Sequence, residues 1–346
     1  MKEGIYMKLF TNEIVFRGHP DKVCDQISDA ILDECIRQDK NSRCGIEVVG
    51  GKGKIFITGE VTTKANINIE NITKRVLKDI GYDTNYEIIN NLGTQSPDIA
   101  LGTNNIINGA GDNGMMFGYA CNDNDKYLPT AMVILQEFSK QYDELRKKDK
   151  RFLPDGKAEI TGYYENNKLI SIKTFTICYQ NTEIEREKTD EIIKELAISI
   201  SKKYNIEIEG FLINPTGKFK IGGFNGDAGL TGRKIVVDSY QSFASVGGGA
   251  FSGKDPSKVD RSGAYKAREI AKDIIKNNKE YAWCEVQLAY AIGIETPLSI
   301  YINTNKGEIE PNKSLYEECK LINIINDLNL LNEKYEERAK YGHFRN

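Results

Sequence analysis

The chain has 346 residues, 40% hydrophobic and 28% charged, with 47 Lys and Arg against 50 Asp and Glu and a net charge of −3. A slightly acidic chain of this length suits two or three domains with a sizeable core, and it lacks the cation excess of a general nucleic-acid binder. No apolar run approaches the roughly 20 residues that span a bilayer, the first residues lack the apolar stretch of a signal peptide, and seven scattered cysteines form no CxxC pair. A cytoplasmic protein with reduced thiols and no membrane or nucleic-acid partner is expected.

The first informative segment is Arg17-Gly18-His19-Pro20-Asp21-Lys22, from which Pro20 opens a predicted helix to about Arg37. Asp21, Asp25, Asp29 and Asp33 fall four apart and form one acidic stripe. For Asp29 and Asp33 a solvated face is the expectation. Asp21, in the first turn beside His19 and Lys22, suits a metal or a phosphate.

Strands follow over 45–49 and 54–61, carrying Glu47 and Glu60. Carboxylates there sit at an exposed edge or are held by a cation or a substrate amine. A helix covers 69–80, and the polar, aperiodic stretch 93–105 reads as a lid or a connection. The turn cluster Gly109–Gly114, with Asp112 in it, leads into the strand MMFGYA. A helix over 130–148, a hairpin over 157–179 and a charged helix over 183–204 come next, then paired strands at 211–216 and 218–222. A second glycine-punctuated turn, 226–234, holds Asp227, Arg233 and Lys234 and leads into a predicted strand at 235–238. Its adjacent cations favour a phosphate role over surface decoration.

The densest motif is Val246 to Arg268, VGGGAFSGKDPSKVDRSGAYKAR. Three consecutive glycines leave backbone amides free to turn toward a ligand, and Asp255 and Pro256 read as the cap and first residue of the following helix. A glycine loop that runs into a helix N-terminus suits a polyphosphate, with Lys254 and Lys258 adding charge and Asp260 an oxygen ligand for Mg²⁺. It is not a P-loop, because Asp255 stands where Ser or Thr should hold the metal. Pro20-Asp21-Lys22-Val23 and Pro256-Ser257-Lys258-Val259 echo each other, which suggests two related helix starts facing one ligand. Helices and strand pairs intermix without regular alternation, so α+β domains are expected rather than a doubly wound sheet.

Together these motifs resemble the S-adenosylmethionine synthetase (methionine adenosyltransferase) family. The carriers are GHPDK at 18–22 with DQISDAILD after it, Gly59-Glu60, QSPDI at 95–99, GAGDNGMMFGYA at 109–120, INPTGKF at 213–219, GDAGLTGRK at 226–234 and GGGAFSGKDPSKVDRS at 247–262. The resemblance implies three similar domains about a pseudo-threefold axis, over 7–106, 109–222 and 223–346, each a mixed or antiparallel sheet packed with helices. It implies homodimers or homotetramers with active sites between subunits. It also implies that L-methionine sulfur attacks C5′ of ATP to form S-adenosyl-L-methionine, and that the expelled triphosphate is cleaved to pyrophosphate and phosphate.

By motif match, His19, Lys157, Arg233 and Lys254 are the implied catalytic residues. ATP would be bound by these four with Asp112, Asp155, Lys218, Phe219, Asp227, Lys234 and Ala250. Glu60, Gln95, Asp98, Asp227 and Lys258 would position methionine. Asp21 and Asp260 would hold Mg²⁺, two ions per site, and Glu47 a K⁺. Residues 95–105 correspond to the family's mobile loop. The chain departs from the family at Ile14-Val-Phe16-Arg17-Gly-His19, where an acid usually stands in place of Arg17, and at Lys218 and Ala228. It also ends sooner after Tyr341-Gly-His343-Phe344 than the family usually does, which bears on turnover and oligomer size. Arg17 beside the histidine would alter its pKa, ATP affinity or subunit contacts. The competing expectations are a catalytically weak nucleotide-binding homologue and a tripolyphosphatase.

Overall fold

The computed structural model describes residues 7–94 and 109–345. Three helices of 19 residues each organise them: α1 (Pro20–Gln38), α3 (Thr130–Lys148) and α6 (Val259–Asn277). Helix α1 is bounded as its sequence requires, with Pro20 in its first turn, His19 as N-cap and Arg37 in its last turn.

Each long helix is preceded by a strand and followed by a hairpin. Strand β1 (Lys8–Val15) precedes α1, and β2 (Arg43–Gly51) and β3 (Lys54–Thr62) follow it. Strand β5 (Gly114–Cys121) precedes α3, with β6 (Phe152–Glu165) and β7 (Lys168–Asn181) after it. The two-residue β9 (Gly229–Leu230) precedes α6, with β10 (Trp283–Tyr290) and β11 (Ser299–Thr304) after it. The hairpins stay together, but the leading strands are exchanged. β1 pairs antiparallel with β6, β5 with β10, and β9 with β2.

Each unit therefore lends its first strand to the next unit's sheet, and the third lends back to the first. Three four-stranded sheets result, completed by β8 (Phe211–Ile213) beside β7, β12 (Gly307–Ile309) beside β11 and β4 (Glu87–Gly93) beside β3. β4 and β8 pair in parallel, after crossovers through α2 (Ile69–Ile80) and α4 (Arg186–Lys203). The fold is α+β, as expected. Sheet membership does not follow contiguous sequence, because β1 lies with the 152–181 hairpin and β5 with the 283–304 hairpin.

Alternation along β2 and β3 buries Cys44, Ile46, Val48, Ile55 and Ile57 against α1, while Glu47, Val49 and Phe56 face outward. One core cluster joins this sheet to that of β10, and a second fills the sheet of β1, β6 and β7 under α3 and α4.

Three local expectations are overturned. Residues 235–238 form a short helix, α5 (Ile235–Asp238), not a strand. Asp238, at the helix end, is bonded to the buried Lys22, 2.6 Å away, and the strand preference of the β-branched run does not prevail. Residues 218–222 form no strand, and they meet β7 through the Asn181 N–H donating to the Phe219 carbonyl and the Gln180 side-chain amide donating to the Lys220 carbonyl. Helix α6 starts at Val259 with Lys258 as N-cap. Asp255 does not cap it, since its carboxylate accepts instead from the amides of Cys44 and Ser257.

Candidate active site

The start of α1 is pressed between strands β6 and β9. A Cβ on Gly18 would lie 2.3 Å from the Pro154 carbonyl oxygen, and one on Gly229 2.2 Å from that of Pro20. Only glycine permits either approach. Here His19 Nδ1 accepts the Asp21 N–H at 3.2 Å, so the ring proton belongs on Nε2 and the imidazole presents a donor outward. Burial, then the neighbouring Lys234 ammonium, pushes the His19 pKa down to about 3, which leaves the ring uncharged at neutral pH.

Asp21 is buried, accepts the Leu230 N–H at 3.0 Å and the Lys234 ammonium at 2.6 Å, and lies 3.7 Å from Arg233. Burial opposes its charge, but Lys234 and the amide hold the carboxyl below its ordinary value. Lys157, exposed on β6, and Asp227, exposed on the glycine turn, both lie near enough to act on the His19 titration. Asp155 accepts the Gly223 N–H at 2.7 Å, and burial raises its pKa to about 6. Gly222, three residues past Phe219, lies beside it, where a Cβ would be 2.8 Å from that of Asp155. His19, Asp21, Asp155, Lys157, Asp227, Arg233 and Lys234 thus form one group.

A second group surrounds Lys254, which pairs with Asp260 in the first turn of α6. Gly249 lies against the Asp260 carboxylate, where a Cβ would come within 2.2 Å, and Gly114, two residues after Asp112, lies near the same group. Gly45 bridges to Lys254, and Glu60 folds over Gly45, whose Cβ would be 3.5 Å from Glu60 Cγ. Gly59, with φ of +108° and the Gly45 oxygen 2.0 Å from any Cβ, admits no other residue and sets where Glu60 emerges. Glu47 lies on the same outward face, opposite Thr58. Lys258 turns onto the buried Asp255, 2.9 Å away. The two groups meet where Gly232 (φ +81°) would place a Cβ 2.6 Å from that of Ala250. Gln95 and Asp98 lie outside the described residues.

The acidic stripe of α1 is not a solvated face. Asp25 accepts the Gly232 N–H at 2.9 Å, and Asp29 the Gly253 N–H at 2.8 Å together with a two-pronged bond from the buried Arg261. Asp33 accepts the N–H groups of Tyr335 and Glu336, which open the short helix α9 (Tyr335–Ala339). The fourfold spacing aligns carboxylates with loops whose amides have no other acceptor, so the stripe holds both glycine loops in place. Its fit to two Gly-rich turns downstream was the signal available in sequence. Lys22 was missed as well: it is buried, bonded to Asp238 at 2.6 Å and to Asp25 at 3.0 Å.

Arg17 does not join the histidine. Its guanidinium donates to Gln26, to Asp79 at 2.6 Å and to Asp143 at 3.4 Å, linking α1, α2 and α3. No group of three or more His, Cys, Asp or Glu able to hold a metal occurs among the described residues. Asp21 and Asp260 each hold a lysine ammonium instead, a lone hard-oxygen donor already facing a cation. That donor set fits Mg²⁺ shared with phosphate oxygens, not a cage made by protein alone.

Sequence comparison places three family descriptions along the chain. "S-adenosylmethionine synthetase, N-terminal domain" matches residues 7–97, the central domain 107–219 and the C-terminal domain 221–346. A protein of Clostridium tetani (strain Massachusetts / E88) named S-adenosylmethionine synthase is 42% identical over 369 residues, covering 97% of this chain and 94% of that protein.

Proposed function

Given that the chain belongs to the S-adenosylmethionine synthetase family, we propose that its two cation groups grip the triphosphate of ATP while methionine sulfur attacks C5′. The activity is that of a methionine adenosyltransferase. The S–C5′ bond forms as the C5′–O5′ bond breaks, and the electron pair leaves with the triphosphate, which water then splits into pyrophosphate and phosphate. A thioether carries no proton to remove, so the chemistry needs no general base. The barrier lies in the leaving group, and preorganised donors aimed at its developing charge lower it.

The observation that carries this reading is the His19–Asp21–Arg233–Lys234 constellation. An uncharged Nε2–H donor, its Nδ1 bonded to the Asp21 N–H, and two cations beside the buried Asp21 carboxylate come together at one helix start. In this assignment His19 donates to the phosphate oxygen nearest C5′, and Arg233, Lys234, Lys157 and Lys254 take the outer charges. Phe219 and Asp112 receive the adenosine, with Asp155, Lys218, Asp227 and Ala250 lining its approach. Glu60 and Lys258, with Gln95, Asp98 and Asp227, take the methionine amine and carboxylate. The family is metal-dependent, and we assign Mg²⁺ to Asp21 and Asp260 and K⁺ to Glu47. Bound there, Mg²⁺ neutralises phosphate charge.

The outward face bearing Glu47 and Glu60 also exposes Val49 and Phe56. This supports a homodimer, or a pair of dimers, in which that face meets its copy and each active site draws on both subunits. The enzyme is assigned to the cytoplasm, in keeping with the absence of any helix long and apolar enough to cross a membrane among the described residues. Incubation with ATP, L-methionine, Mg²⁺ and K⁺, with products read by mass spectrometry, tests the proposal. S-adenosylmethionine, pyrophosphate and phosphate should appear together, and release of phosphate without methionine would overturn it.

A further inference from the structure

The segment Tyr341-Gly-His343-Phe344 is buried, with His343 at 0% and Phe344 at 4% exposure, although none of the chemistry above uses it. It touches the Lys254 loop and the helical turn α5 that directly follows Lys234. His343 donates its backbone N–H to the carbonyl of Asp238 at 3.0 Å, and its Nε2 lies 4.0 Å from the Asp238 carboxylate. Asp238 ends the single turn of α5, its N–H bonded to the carbonyl of Lys234 at 2.8 Å, and its side chain is bonded to Lys22 on α1. Phe344 stacks on Tyr240 at 4.8 Å with an interplanar angle of 8°.

On its other side the segment meets Phe251, in the glycine loop three residues before Lys254. The Phe251 ring lies 5.0 Å from His343 and 5.9 Å from Phe344, edge-on to the latter. The segment itself is fixed by Gln136, whose amide donates to the Phe344 carbonyl at 2.9 Å, and by Tyr265, hydrogen-bonded to His343 Nδ1 at 2.8 Å. Gly342, at φ +95°, makes the turn that brings His343 and Phe344 to their partners. Among the described residues no ring other than that of Phe344 packs against both Tyr240 and Phe251.

We propose that Tyr341–Phe344 is a brace that sets the spacing between the Arg233–Lys234 turn and the Lys254 loop, with His343 and Phe344 as positioning residues for the departing triphosphate. It rests on the assignment of those loops to the triphosphate. Cations on separate loops serve one polyphosphate only if their separation is held, and misplacement of a group by about 1 Å can cost on the order of a hundredfold in rate. Glu60, assigned to methionine, stands on β3 outside both loops, so the methionine KM should move less than tripolyphosphate binding.

The test measures binding of inorganic tripolyphosphate with Mg²⁺, alongside kcat and the methionine KM, on the full chain, with thermal unfolding as a check of folding. Phe344→Ala should weaken tripolyphosphate binding and lower kcat by about tenfold or more, leaving the methionine KM within about twofold. Phe344→Tyr, which keeps a ring on Tyr240, should stay within about threefold of the parent in both. A folded Phe344→Ala protein that binds tripolyphosphate as the parent does would overturn the proposal, as would a tyrosine variant that loses as much as the alanine one. Should Phe344→Ala not fold, Gln136→Ala removes only the bond to the Phe344 carbonyl. It should weaken tripolyphosphate binding several-fold, and unchanged binding would overturn the proposal. Lys234→Ala and Lys254→Ala separate the two ideas. If they too leave binding unchanged, the triphosphate assignment fails; if they weaken it and Phe344→Ala does not, the brace alone fails.

Discussion

Replacing His19 with asparagine separates the two jobs of this residue. The ring does structural work through Nδ1, which accepts the Asp21 N–H at the α1 N-cap, and in the proposed assignment chemical work through the proton on Nε2. Asparagine is as good an N-cap as any residue, and its carbonyl can take over the first job. Its amide is too short to reach where Nε2 points. His19→Asn should therefore leave stability within about 0.5 kcal/mol of the parent, whereas His19→Ala should cost about 1 kcal/mol for the lost cap. Both should lose turnover alike. Removing one preorganised donor from a developing oxyanion costs about 3 to 4 kcal/mol, or a factor of 10² to 10³ in kcat. Initial rates of S-adenosylmethionine formation and thermal unfolding of the three proteins measure both quantities. Because the ring is already neutral, its pKa being near 3, the parent's rate should show no inflection near pH 6.5 that vanishes in the asparagine variant. An asparagine variant with kcat within threefold of the parent, or such an inflection, would refute the role given to Nε2.

Lys254→Ala removes a charge from the leaving-group side, so kcat should fall by about tenfold or more while the methionine KM changes little, as steady-state kinetics would reveal. Arg17→Leu leaves the buried Asp143 without its Arg17 partner and breaks the half-exposed link to Asp79, and should cost about 3 kcal/mol in chemical denaturation, with the ATP KM of the folded fraction within about twofold. Asp33 gives a pH signature. Burial raises its carboxyl to about 7, so the folded protein keeps a proton there that the unfolded chain releases above about pH 4. Its contribution is then full below pH 4 and declines as pH rises to 7. Asp33→Asn should remove up to about 1.4 kcal/mol per pH unit of that decline, as measured by denaturation at several pH values.

The lysines bonded to Asp21 and Asp260 explain how the site stores so much charge without substrate. Lys234 and Lys254 each rest on a carboxylate that the proposal gives to Mg²⁺. On that proposal, phosphate and metal arriving together would replace one ion pair with two, favouring a magnesium polyphosphate over either ion alone.

Local physics read along the chain was enough for the long elements and for most of the chemistry. Pro20 and the 3.6-residue apolar spacing specify α1, alternation specifies β2 and β3, and the glycine runs with their flanking lysines and aspartates announce an anion site, because these are properties of neighbouring residues. The family motifs then assigned roles to the residues. Tertiary structure decided whatever depends on distant partners. The run Ile235-Val-Val-Asp238 has strand propensity, yet it is helical in the fold, with Asp238 bonded to Lys22 more than two hundred residues away. Asp29 and Asp33 look like a wetted stripe until the amides of Gly253, Tyr335 and Glu336 arrive from more than two hundred residues away. Arg17 sits two residues from His19 in sequence, but its side chain goes to α2 and α3. The exchange of β1, β5 and β9 among sheets leaves no periodicity to read, because backbone hydrogen bonds between strands carry no side-chain code.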